Sequence, residues 1–83
     1  MKTFQKIALK KFRNFLNSPE VVVLSNRLLI AASAVDNPAL DVDTEGILLA
    51  ELNDLYSAFE RSSYTKKMEV LKFISDMRNR ILE

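Results

Sequence analysis

Asp41, Asp43 and Glu45 alternate ahead of Gly46, the spacing with which a calcium-binding loop opens. In such a loop, positions one, three and five supply oxygens, and the glycine at six permits a sharp turn. Position twelve should be a bidentate glutamate, but here it is Leu52, with Glu51 one residue early. Pro38 also stands where an entering helix should run. The run therefore reads as a loop whose acidic residues cap a helix.

The rest of the chemical inventory is short. The 83 residues contain no histidine and no cysteine, which excludes the usual zinc sites and every histidine-dependent triad. Gly46 is the only glycine, so phosphate-cradling loops and dinucleotide fingerprints are excluded too. Acid–base chemistry by carboxylates or lysine stays formally open. The expectation is a protein without catalytic residues, metal or cofactor, acting by binding.

Without cysteine there is no disulfide to staple the chain, so packing must stabilise it, and an apolar content of 48% is enough for that. The same absence fits a cytoplasmic location. The longest apolar stretches, 21–24 and 28–32, fall far short of the ~20 residues of a membrane-spanning helix. The N-terminal lysines precede no apolar block of the signal-peptide kind.

Four segments carry a helical apolar rhythm. In the first, about 2–16, Phe4, Ala8, Phe12 and Phe15 form a stripe flanked by Ile7 and Leu16. Asn17-Ser18-Pro19-Glu20 then stops one helix and starts the next: Ser18 can cap, Pro19 suits the first helical position, and Glu20 complements the dipole. The second segment, about 19–35, has Val21, Leu24, Leu28, Ala31 and Val35 as its main stripe, widened by Val22, Leu29 and Ala32. Its Val21-Val22-Val23 run favours a strand locally, yet no partner strand exists in the sequence. Asp36-Asn37-Pro38 ends this helix. Asp43 or Thr44 is the expected cap of the third, which runs to about 61 with Leu48, Leu52, Leu55 and Phe59 on one face and Leu49 and Tyr56 beside it. Ser63 or Thr65 is the expected cap of the fourth, about 66–82, with Val70, Ile74, Met77 and Ile81 in line and Leu71 and Phe73 broadening the stripe. Short joining loops favour antiparallel neighbours, so the expected fold is one all-α domain, an antiparallel up-down four-helix bundle.

Charge is segregated along this order. Residues 1–18 hold five basic residues (Lys2, Lys6, Lys10, Lys11, Arg13) and no acidic one; residues 36–60 hold seven acidic residues and no basic one; residues 61–83 hold six basic and three acidic. One reading is self-complementarity, with the acidic third helix beside the basic first and fourth. The other is that Lys2, Lys6, Lys10, Lys11 and Arg13, interleaved with phenylalanines, meet an anionic surface such as a membrane. Nucleic acid is disfavoured, because the net charge is only +1 and no short helix–turn–helix with a basic recognition helix is present. Met68 and Met77 read as core filler. Tyr56 and Tyr64 read either as partner anchors or as seals on the ends of the core. Arg78 and Arg80 suit the negative end of the last helix dipole.

The chain resembles the small immunity proteins that protect lactic acid bacteria and streptococci against pediocin-like (class IIa) bacteriocins. The similar parts are Asn17-Ser18-Pro19-Glu20-Val21 with Leu28-Leu29-Ile30-Ala31-Ala32, then Leu49-Ala50-Glu51-Leu52-Asn53-Asp54-Leu55-Tyr56-Ser57-Ala58, then Tyr64-Thr65-Lys66-Lys67 leading to Leu71, Ile74 and Met77. Together they span roughly residues 15–80. The resemblance implies a cytosolic four-helix bundle at the inner face of the membrane. It also implies a protein partner, the membrane part of a mannose phosphotransferase permease with bacteriocin bound, whose lethal pore is blocked. The family's C-terminal half is associated with which bacteriocin is countered. By resemblance, the recognition residues here are Tyr64, Lys66, Lys67, Lys72, Arg78 and Arg80. Family members commonly carry a tail after the last helix, whereas here Glu83 follows it directly. The competing expectation is a small regulatory adaptor, phage- or plasmid-encoded, that binds another protein through one helix face.

Overall fold

The computed structural model describes residues 3–12 and 19–83, with side chains placed for 4–10 and 22–83. The cap at Ser18 and the apolar contributions of Phe12, Phe15, Leu16 and Val21 lie outside the described residues or side chains.

Helix α1 spans Thr3–Phe12. It buries Ala8 and packs Phe4 and Ile7 against the core, leaving Lys6, Leu9 and Lys10 exposed. Its first-turn N–H groups have no partner within the helix. They find one on another element: Phe4 N donates to Asp36 Oδ1 at 3.0 Å, and Gln5 N donates to Asp36 Oδ2 at 2.9 Å. Asp36 follows the last residue of α2 (Pro19–Val35) directly, so this double bond sets the start of α1 beside the end of α2. The two helices therefore run antiparallel.

α2 buries Leu24, Ser25, Leu28, Ala31, Ala32 and Val35. Its β-branched start is helical, as expected, with Val23 turned outward at 58% exposure. The chain leaves α2 through Asp36 N, which donates to Ala32 O at 3.2 Å, and Asn37 N, which donates to Ala34 O at 3.1 Å. Asn37 Oδ1 then accepts from Ala39 N at 3.0 Å, an Asx-type turn around Pro38.

α3 spans Val42–Arg61, two or three residues ahead of the start expected from a cap at Asp43 or Thr44. Asp41 is the cap: its backbone is extended (φ −89°, ψ 170°) and its Oδ1 accepts from Thr44 N at 2.7 Å. By residue type Asp41, Asp43 and Thr44 can all cap. Choosing Asp41 leaves Asp43 and Glu45 inside the first turn, at the positive end of the dipole. The bond from Thr44 also holds the Asp41 carboxyl below its ordinary pKa. Leu48, Leu52, Leu55 and Phe59 are the buried residues of α3, the stripe that the spacing predicts. A methyl group added at Gly46 would meet nothing within 4 Å, and the backbone there has no positive φ. Gly46→Ala should therefore stabilise the fold by about 0.5–1 kcal/mol through helix propensity alone, readable as a higher midpoint in urea at unchanged slope.

α4 spans Lys67–Leu82, and its capping position is Lys66, with no side-chain cap bond, rather than Ser63 or Thr65. The polar groups of this corner close α3 instead. Ser62 Oγ donates to Phe59 O at 2.8 Å, and Lys67 Nζ donates to Glu60 O at 3.1 Å and Ser62 O at 3.5 Å. α4 buries Val70, Leu71, Phe73, Ile74 and Met77, with Ile81 half-buried. Met68 is not core filler: it is 71% exposed, against 0% for Met77. It lies two residues before Val70, about 200° around the helix and so on the opposite face.

The result is an antiparallel up-down four-helix bundle, with no strand among the described residues. α1 packs on α2, α2 on α3 and α3 on α4, and α2 also touches α4 across the centre. Phe4 of α1 meets Phe73 of α4 edge to face, with ring centres 5.8 Å apart. Tyr56 and Tyr64 are both half-buried against the core, consistent with sealing it.

Candidate functional site

The bundle scatters the positions expected to recognise a partner. Tyr64, Lys66 and Lys67 lie at the α3–α4 corner; Tyr64 packs on the core, and burial raises its pKa, helped by Glu69. Lys67 spends its ammonium on the end of α3, while Lys66 is exposed. Lys72 is exposed midway along α4. Arg78, six positions on and roughly 120° away around the helix, donates to Asn53 Oδ1 of α3 at 3.5 Å. Arg80 is exposed at the far end, beside an open cleft lined with Val35, Leu40, Glu45 and Ile81. Some 14 residues of chain, about 21 Å of helix, separate Lys66 from Arg80. The six positions do not form one patch.

On α1, Lys6 and Lys10 are exposed one turn apart, with Leu9, 45% exposed, beside them. Lys2 and Arg13 lie outside the described residues, as does the side chain of Lys11. No helix among the described residues is long and apolar enough to cross a membrane.

Charge complementarity takes a different form from the one expected. α3 does lie against α4, but α1 packs on α2. Among the described residues the ion pair is Arg27 of α2 with Glu51 of α3. It is a two-pronged contact: Arg27 Nε donates to Glu51 Oε2 at 3.2 Å, and Nη2 donates to Oε1. The bond lowers the Glu51 pKa and raises that of Arg27. Because folding depresses the Glu51 pKa, its stabilisation is fully present above the unfolded value of about 4.3 and is lost as pH falls through the folded value. Both side chains are more than a third exposed (37% and 35%), so Glu51→Gln should cost under about 1 kcal/mol at neutral pH. It should cost nothing near pH ~2, where the wild-type carboxylate is protonated as well. Urea midpoints across that range check this.

The same seam between α2 and α3 carries a surface that the stripes did not reveal. Of the large apolar side chains left exposed, Val23 and Ile30 lie on α2, and Val42 and Ile47 on α3. Ile30 and Ile47, 71% and 73% exposed, flank an open groove of about 510 Å³ with Ala34 and Ala50, and Glu51 and Asp54 stand on its edge. A signal for it is in the sequence as a second rhythm. Val23, Arg27, Ile30 and Ala34 recur at spacings of four, three and four on α2, as do Ile47, Glu51, Asp54 and Ala58 on α3. Two such rows face each other across the seam. The acidic run at 41–45 is the cap and first turn of α3 rather than a cation-binding loop, since the helix begins at Val42.

Comparison with protein-family models, with curated proteins and with solved structures gives no match for this chain.

Proposed function

We propose that this chain is a non-enzymatic binding protein of the bacteriocin-immunity type, working at the inner face of the membrane by engaging a receptor permease that holds its bacteriocin. The observation that carries this reading is where the resembling segments fall. Pro19 to Val21 open α2, 49–58 lies within α3, and Tyr64 to Lys67 leads into α4. α4 presents Lys72, Arg78 and Arg80 to the outside, on the half of the chain that the resemblance links to recognition. The basic exposed turn of α1, Lys6 and Lys10, suits an approach to anionic headgroups.

Expression in a bacteriocin-sensitive strain, challenged with a panel of class IIa bacteriocins, tests the proposal. Protection against at least one member, lost when Lys72 and Arg78 are both changed to Glu, is the expected outcome. Unchanged sensitivity to every member removes the immunity reading. The apolar α2–α3 groove favours a second reading, a regulatory adaptor that holds a partner through one helix face, and a stoichiometric complex with a soluble partner would select it.

A further inference from the structure

The α2–α3 groove has the features of a helix-docking site, and they point to one kind of occupant whether or not the immunity reading holds. Its floor is apolar, from the buried Ala31 and Leu48, and Ile30 and Ile47 stand beside it as exposed apolar walls. Its border carries acidic residues with no ion-pair partner among the described residues: Asp54 lines it and Asp43 is exposed one turn before Ile47 on the same side of α3, while Glu51, which also lines it, is paired with Arg27. No basic residue lines it; the neighbouring Arg27 is held by Glu51. From Thr44 to Asp54 the groove follows α3 for about 15 Å, the rise of about ten helical residues.

We propose that this groove binds a cationic amphipathic helix of a partner protein, its apolar side chains seated between Ile30 and Ile47 and its lysines or arginines facing Asp43 and Asp54. A helix in a groove is read through apolar anchors at successive turns, and opposite charge on the border sets its orientation and speeds encounter. A lipid surface does not fit, because anionic headgroups would meet the acidic border. A second copy fits poorly: its basic helix α1 offers Leu9 as the one large exposed apolar residue among those described, too little to fill the floor.

The test uses the full chain and three labelled synthetic peptides of about 14 residues, long enough to span the groove. One is Leu/Lys in amphipathic helical order, one is the same with Glu for Lys, and one is the Leu/Lys composition shuffled. Fluorescence anisotropy should show binding of the first alone, weakening as salt rises. Amide shifts should centre on Ile30, Ile47 and Ala50. Ile30→Ser with Ile47→Ser should weaken binding at least tenfold while circular dichroism stays unchanged, since both side chains are exposed. Asp43→Asn with Asp54→Asn should weaken it severalfold and flatten the salt dependence. Equal binding of the Leu/Glu or shuffled peptide, shifts centred on α1 or α4, or no binding at low salt would each overturn the proposal. So would a dimer in sedimentation that the two serine changes dissolve, which would make a second copy the occupant.

Discussion

Phe59→Ala should lower the thermal midpoint by roughly 15–30 °C. Phe59 is 0% exposed and heads the fully buried side chains by volume. Truncating a buried phenylalanine typically costs about 3–5 kcal/mol, because the lost transfer energy is joined by a cavity that the neighbours fill only partly. A domain of this length commands about 4–12 kcal/mol in total, so the loss is a large share of it. Phe59 also ends the α3 stripe, where Ser62 Oγ and Ser62 N both donate to its carbonyl. A cavity there therefore acts on the α3–α4 corner as well as on the core. Thermal melts by far-UV circular dichroism measure the effect, and Phe59→Leu, which refills most of the space, should recover most of it. A shift below about 5 °C for the alanine variant would mean that Phe59 is not in the core.

Asp36→Ala should give the second largest effect, about 1–2 kcal/mol, and a more local one. Its carboxylate accepts from two first-turn N–H groups of α1, which are left without partners when it is removed. Its charge at the positive end of that helix adds to the loss. The expected signature is a midpoint lower by roughly 5–15 °C, with amide exchange accelerated in α1 ahead of the other helices. Asp36→Asn keeps one acceptor oxygen and should fall between the alanine variant and the parent. Equal exchange protection of α1 in the parent and in Asp36→Ala would remove the cap from the account.

Residues that act within their own helix were legible in the sequence. Leu48, Leu52, Leu55 and Phe59 recur at helical spacing and are the buried face of α3; Val70, Ile74 and Met77 do the same on α4. Pro19 opens α2 where a first-position proline should. What needed the structure depends on contacts between helices. Asp36 reads as a helix terminator, and nothing local says that its carboxylate reaches α1, 31 and 32 positions away. The expected cap of α3 is Asp43 or Thr44, but Asp41, of equally suitable residue type, takes that place. Residue type points Met68 to the core, but its position sets it opposite the buried stripe. Lys67 was expected to face a partner, yet the open carbonyls at the end of α3 take its ammonium. Ile30 and Ile47 were hidden because apolar residues next to a wide stripe look like part of it, and only the packing of α2 on α3 shows which of them the core leaves out.

Every surface assigned here, the α2–α3 groove above all, depends on which helix faces the core closes. The most direct measurement of that closure is a nuclear Overhauser spectrum of the Phe4 and Phe73 rings, whose centres lie 5.8 Å apart between the first and last helices. Ring-to-ring cross-peaks are the expected result, with Phe4 showing none to the Ala58 methyl at the opposite end of the bundle. Cross-peaks from Phe4 to Ala58, with none to Phe73, would contradict the bundle order and the surfaces drawn from it.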